Sequence, residues 1–325
     1  MVYGKTKIIA GSVSGEYGYQ NGNGTNAKFN KPTGITSDEN GNLYVCDTLN
    51  QVIRKIDSNG NVTTIAGAPG QHGYSNGYDT SVRFNYPQGI LFVNNNLIIS
   101  DYSNNVLRNI SFNENNRVST LIGGRTNFFP IPQCGLADGS DGALFNYPTF
   151  LTKDNTGNIY LTDSQNEIVR KINNINNTFS ASSINNPFPQ IKGICSDSNN
   201  NIYVISNSNI YKIDQSQKVT LFRNDLNNPK SLSVDSCGNI YVIDTGKVIQ
   251  IYLENNTNPS PIQYAFPKGS TGPIGKKGGL DITVSNSQPS SNNRTPGKII
   301  INNGNMYVCA NNNNWYKLSN LTKFM

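Results

Sequence analysis

The chain predicts an all-β fold, a six-bladed β-propeller of four-stranded antiparallel blades. Three observations predict it. A unit of four short apolar runs recurs along the chain. Asn-Gly and Gly-Asn pairs, which favour tight hairpin turns, punctuate those runs. No segment carries a sustained helical period.

The first unit has Pro32-Thr33-Gly34-Ile35, then Asn40-Gly41-Asn42-Leu43-Tyr44-Val45-Cys46-Asp47, then Asn50-Gln51-Val52-Ile53-Arg54-Lys55-Ile56, then Val62-Thr63-Thr64-Ile65-Ala66-Gly67. The second repeats this with Pro87-Gln88-Gly89-Ile90, residues 96–101, residues 105–108 and residues 118–123. The third is anchored by Pro148, Gly157-Asn158-Ile159-Tyr160-Leu161-Thr162-Asp163 and residues 167–172. The fourth has Gly193-Ile194, Asn201-Ile202-Tyr203-Val204 and residues 210–213. The fifth has Pro229, Gly238-Asn239-Ile240-Tyr241-Val242-Ile243-Asp244 and residues 248–251. A weaker sixth copy holds Pro296-Gly297, residues 304–309 and residues 315–318.

The anchors fall roughly 40 to 65 residues apart, the range of a propeller blade with loop insertions. Blades set radially around an axis leave only short, protected edges. Residues 6–11 repeat the outer-strand pattern of residues 63–67, and no such strand follows Leu318. This N-terminal strand is therefore expected to close the last blade beside residues 315–318, each terminus satisfying the other's backbone groups. One domain, 1–325, follows, with a low-complexity insertion at about residues 254–295 that contains a Gly-X-Y stretch at residues 269–278. The stretch is too short for a triple helix and reads as a loop. The alternative division is five blades ending near Tyr252 and a small C-terminal β appendage.

The Pro-x-Gly-Ile opening, the Gly-Asn-(Leu/Ile)-Tyr-Val-x-Asp core and the Asn-x-x-Ile-Arg-Lys-Ile run resemble the NHL repeat family. So does Thr64-Ile65-Ala66-Gly67 followed by Phe84-Asn85-Tyr86-Pro87-Gln88-Gly89-Ile90. The resemblance runs over nearly the whole chain, strongest in the first three units. It implies a propeller and three function classes. The first is a protein-interaction scaffold. The second is single-stranded RNA binding, which some members perform through a basic face. The third is a metal-dependent lyase or hydrolase, since related six-bladed propellers include enzymes with a metal in the central channel.

Composition weighs on that choice. Charged residues are 14% and the formal net charge is +6, spread without a dense basic run, so nucleic acid is permitted but not required. The single His, His72, rules out a cluster of His ligands. The five Cys are scattered with no C-x-x-C, so neither a disulfide framework nor a zinc site is indicated. Cys46 and Cys309 read as small buried residues at equivalent strand positions. No signal peptide and no bilayer-spanning stretch is evident, so no membrane partner is expected. Asn-rich composition and the Gly-X-Y tract resemble proteins of large DNA viruses in style, which gives a cytoplasmic or virion-associated location as the expectation.

Asp47, Asp101, Asp163 and Asp244 recur once per blade. An active site needs a unique constellation, so these read as caps of the turn between strands two and three, accepting backbone N–H bonds. Arg54, Arg108 and Arg170 recur likewise and read as structural pairing with neighbouring blades. Three long loops, residues 11–28, 67–83 and 124–144, join an outer strand to the next inner strand and so emerge on one face. They carry the tags Gly18-Tyr19-Gln20-Asn21-Gly22, Gly73-Tyr74-Ser75-Asn76-Gly77 and Gly135-Leu136-Ala137-Asp138-Gly139. Aromatics and Arg carry interface energy, so Tyr17, Tyr19, His72, Tyr74, Tyr78, Arg83, Arg125, Phe128 and Phe129 are the expected partner-binding set. The competing reading is that these aromatics pack inward and order their own loops. Asp138 and Asp141 match no calcium-loop spacing. The expected function is a non-catalytic scaffold that binds a protein partner, without a cofactor.

Overall fold

The computed structural model describes residues 8–124, 132–140, 142–175, 178–184, 186–235 and 238–251, and four C-terminal strands by their backbone. It divides into two compact units, Met1–Ile251 and Tyr252–Met325.

The first unit is five antiparallel blades of a propeller. Blade one is built from Pro32–Ser37, Leu43–Asp47, Val52–Ile56 and Asn61–Ala66, with the short strand Gly22–Asn23 added at its outer edge. Blade two is Pro87–Val93, Asn96–Asp101, Val106–Ser111 and Arg117–Ile122. Blade three is Pro148–Lys153, Ile159–Asp163, Ile168–Ile175 and Thr178–Ile184. Blade four is Ile191–Ser196, Ile202–Ser206, Asn209–Ile213 and Val219–Arg223. Blade five shows Ser231–Val234, Ile240–Asp244 and Lys247–Ile251. The first strands of successive blades lie against one another, so they are the inner strands.

The count of six blades gives way to five. The residues expected to form the sixth lie in the second unit, in a sheet ordered Ile282–Val284, Ile299–Asn302, Asn305–Cys309, Trp315–Leu318. Its first two strands are parallel, whereas a propeller blade is an antiparallel meander. Five blades with a C-terminal β appendage, the alternative division, is what the structure shows. Of the expected closing strand, residues 6 and 7 lie outside the described residues. Residues 8–10 form no strand, and the Gly11 N–H donates to the Gly24 carbonyl at 3.1 Å. The strand Ile282–Val284 falls within the expected insertion, and the Gly-X-Y stretch lies outside the described residues.

Blade stacking explains why the second strands do not alternate. Ile159–Asp163 and Ile202–Ser206 are buried along their whole length, because each face of a middle strand meets a neighbouring blade. The cores therefore lie between blades. Tyr44, Cys46 and Ile53 of blade one pack on Leu97, Ile99 and Ile110 of blade two. Equivalent clusters join blades two and three, three and four, and four and five. Where inner strands meet, side chains have no room: a Cβ on Gly34 would run into the Gln88 carbonyl oxygen, and one on Gly89 into that of Thr149.

A second repeated device sets the inner hairpins. Asp38, Asp154, Asp197 and Asp235 each accept the amide of the Asn four residues on, at 2.9 Å. Their other oxygen takes the hydroxyl of Tyr44, Tyr160, Tyr203 and Tyr241, at 3.1, 3.2, 3.1 and 3.1 Å. The Gly-Asn-x-Tyr core of the repeat is thus the donating half of an aspartate turn. Blade two dispenses with it: Asn94 and Asn95 make a two-residue turn with φ of 49° and 59°.

Candidate interaction face

The long loops are built around buried arginines. Arg54, Arg108 and Arg170 are fully buried and pair with Asp47, Asp101 and Asp163 of their own blades at 2.7, 2.7 and 3.0 Å. The pairing is within a blade, not between neighbours as the sequence suggested. Each guanidinium also reaches into the entry loop. Arg54 donates to the carbonyls of Lys28 and Gln20 and to Asn21 Oδ1. Arg108 does the same to Arg83, Ser75 and Asn76. Arg170 does so to Leu144, Ala137 and Asp138. The loop tags are therefore the arginines' hydrogen-bond partners.

Each paired carboxylate is itself capped. Asp47, Asp101 and Asp163 accept the amides of Asn30, Asn85 and Asn146 at 2.7 Å, and the side-chain amides of Asn50, Asn104 and Asn166. The backbone donors belong to the loop entering the blade, not to the turn between strands two and three. Asp244 is capped the same way by Asn227 and Asn228, which hold its carboxyl below the ordinary value. Burial pushes the other three carboxyls upward, against the pull of these donors. Asp138 bonds Arg170 and Ser183; Asp141 lies outside the described residues. Cys46 is buried and free.

This frame takes up part of the expected partner-binding set. Tyr19 stacks on the Arg54 guanidinium and bonds Thr64; Tyr74 stacks on Arg108 and bonds Thr120. Both order their own loops. Arg83 donates to the carbonyls of Thr80 and Val82 and to Gln71. Tyr17, His72 and Tyr78 are exposed, Tyr17 by 80%. Arg125, Phe128 and Phe129 lie outside the described residues.

The same face carries a feature that sequence reasoning did not single out. The residue immediately before the inner strand of blades one to four adopts the left-handed conformation: Lys31 (φ 50°), Tyr86 (54°), Tyr147 (54°) and Gln190 (51°). A bulky side chain there is costly, by about 1–2 kcal/mol. Two tyrosines are nonetheless held in it by the preceding blade. Gln51 Oε1 accepts the Tyr86 N–H at 2.7 Å, and Asn105 Oδ1 accepts the Tyr147 N–H at 2.8 Å. Tyr86 and Tyr147 remain 39% and 38% exposed. With Tyr102, whose ring centroid is 4.6 Å from that of Tyr147, they line a cavity of about 500 Å³. Burial, then the neighbouring Tyr147, raises the Tyr102 hydroxyl above its ordinary value, so it is protonated at neutral pH. Leu49, Gln88, Ser103 and Lys31 are also in the walls, with Thr33 and Thr48. The signal was in the repeated Phe-Asn-Tyr-Pro of residues 84–87 and 145–148, where an aromatic precedes the strand-opening proline.

Among the described residues no three His, Cys, Asp or Glu side chains converge as a metal set, and no helix is long and apolar enough to cross a membrane.

Comparison with known proteins places this geometry. Teneurin-1 of Gallus gallus is 36% identical over 110 residues, which are 31% of this chain and only 4% of that protein. Among solved structures, a streptogramin B lyase superposes with a TM-score of 0.50 at 14% identity, covering 92% of this chain and 85% of its own. A chain of a nidogen/laminin complex gives 0.51 at 15%, covering 70% and 77%. A protein from Bacteroides thetaiotaomicron gives 0.51 at 15%, covering 94% and 72%. At these identities the structures share the fold alone. The Teneurin NHL domain pattern, by contrast, matches residues 14–248, nearly all of the five-bladed unit, and the chain belongs to that family.

Proposed function

We propose that the chain is a non-catalytic scaffold that binds a protein partner on the face where the inner strands begin. The observation that carries this reading is the pair Tyr86 and Tyr147. Each holds a strained backbone conformation that leaves an aromatic ring partly exposed, and each is fixed by a side chain of the preceding blade. Asn or Gly would fill the same turn with less strain. Strain kept at an exposed aromatic points to use of the ring. Tyr is also enriched at sites that dominate binding energy. A nidogen/laminin complex among the neighbours is in keeping with protein binding by this fold.

The test is crosslinking of the tagged full chain in its source, with identification of bound protein and nucleic acid. A stoichiometric protein partner is expected, lost in the double variant Tyr86→Asn/Tyr147→Asn while its melting temperature holds or rises. Retention of the partner by that variant, or RNA as the dominant bound species with steep salt dependence, refutes the reading.

A further inference from the structure

We infer that the tyrosine cavity takes an extended, proline-bearing acidic segment of a protein partner. This deepens the scaffold reading and rests on it. Charge is the first argument. Lys31 is the one charged side chain among the described lining residues, and no Asp, Glu or Asn lines the cavity. A cationic ligand would meet Lys31 and find no counter-charge. An acidic one finds the ammonium group at the rim.

Hydrogen-bonding capacity is the second argument. The walls are rich in donors: the Tyr102 phenol, Ser103, Gln88 and Lys31. Carbohydrate recognition draws on several planar acceptors for sugar hydroxyls, and among the described lining residues the Gln88 amide is the one planar side-chain acceptor, with no carboxylate beside it. An extended peptide offers the complement, a row of solvated carbonyls without internal partners. A polyproline II segment is the peptide form that best suits aromatic walls, since its rings present flat apolar faces and it loses little entropy on binding. Tyr102 and Tyr147, 4.6 Å apart at their centroids and tilted 40° to each other, pack as one aromatic pair, and Tyr86 and Leu49 add further walls. The volume, about 500 Å³, holds a few side chains rather than a folded domain. A phosphate backbone is the poorer match, because one lysine neutralises one charge.

The decisive experiment titrates the full chain into fluorescein-labelled peptides and follows anisotropy. One peptide repeats Glu-Pro-Pro; its controls replace Glu by Lys or both prolines by Ala. Saturable binding of the first, about tenfold or more tighter than either control, is expected. Tyr147→Asn and Tyr102→Ala should each weaken it by a similar factor with unchanged melting curves, and Lys31→Glu should reverse the preference between Glu and Lys peptides. Equal binding of all three peptides, or binding unchanged in these variants, overturns the inference. So does displacement by a neutral oligosaccharide or by oligouridylate, which would assign the cavity to another ligand class. If the acidic peptide fails while the crosslinked partner is still lost in the Tyr86/Tyr147 variant, the peptide class falls and the scaffold face stands. If that variant keeps its partner, both fall.

Discussion

Replacing Arg108 by Met tests whether the buried ion pairs hold the loops. Arg108 and Asp101 are fully buried and 2.7 Å apart. Removing the guanidinium leaves a buried carboxylate whose remaining donors are the Asn85 amide and the Asn104 side chain. It also strips the carbonyls of Arg83 and Ser75 of a charged donor. Breaking one half of a buried pair costs about 3–5 kcal/mol. For a unit of this size that lowers the melting temperature by about 6–20 °C. An exposed pair sets the contrast. Arg117 and Glu114 are about half exposed, and Arg117→Ala should cost under about 1 kcal/mol. Urea unfolding gives the energies, and hydrogen exchange should show protection lost at Gly73, Ser75 and Gly77. Adding Asp101→Leu to Arg108→Met should recover part of the loss, with a coupling of about 1–3 kcal/mol. An Arg108→Met cost equal to that of Arg117→Ala, or loop amides still protected, would refute the reasoning.

Two further outcomes follow from the blade architecture. Gly89→Ala places a methyl against the Thr149 carbonyl of the next inner strand and should cost about 3 kcal/mol, whereas Gly157→Ala meets nothing within 4 Å and should cost about 1 kcal/mol for its φ of +88°, both read by urea unfolding. Burial together with Asp38, Asp154 and Asp197 raises Tyr44, Tyr160 and Tyr203 well above the usual phenol value. An ultraviolet titration should find these three still protonated above the ordinary phenol value of about 10, and ionising only as the fold opens; their contribution is complete below the unfolded value and lost as pH rises through the folded one. The partner carboxyls run the other way. Burial raises Asp38 and Asp154, but hydrogen bonds from Asn42 and Asn158, among others, outweigh it and leave both lowered. Their contribution is present above the unfolded value of 3.8 and lost as pH falls below it, so urea midpoints should drop in acid.

The blades could be read from sequence because each is local: its strands follow one another, and the Gly-Asn turns set their hairpins. The recurring Asp was legible as a backbone cap, and the Arg as structural. Their partnership was written as Asp and Arg seven residues apart, at 47/54, 101/108 and 163/170, and needed the hairpin register to bring them together: Val45 sits opposite Arg54 and Asp47 opposite Val52. The blade count failed for a different reason. Repeat likeness at residues 304–309 and 315–318 locates strands but not their partners, and a parallel pairing with Ile282–Val284 carries no signature in so short a run. Tyr19 and Tyr74 were found by composition, yet composition does not say which way a ring turns. Each has a buried guanidinium beneath it. Tyr86 and Tyr147 were hidden because their conformation depends on Gln51 and Asn105, some 40 residues earlier in the chain.

On the proposed reading, those tyrosines are how a repeat acquires a specific site. The Asp–Arg frame fixes the same loop exit three times, and the position before the inner strand takes the same left-handed backbone in those blades and in blade four, where Ser206 stands in the Asp place. What varies there is the side chain alone: Lys31, Tyr86, Tyr147, then Gln190. A substitution at this position changes what the face displays while the hydrogen bonds holding it run through the backbone N–H, as at Tyr86 and Tyr147. Chemistry can therefore change blade by blade without disturbing the frame. The charged and aromatic members fall on neighbouring blades one to three, the blades that carry the buried pairs, so the loops bonded by those pairs and this surface coincide. On the proposed scaffold reading, rigid support under an exposed aromatic cluster lowers the entropy lost on binding, and the buried charges supply that support.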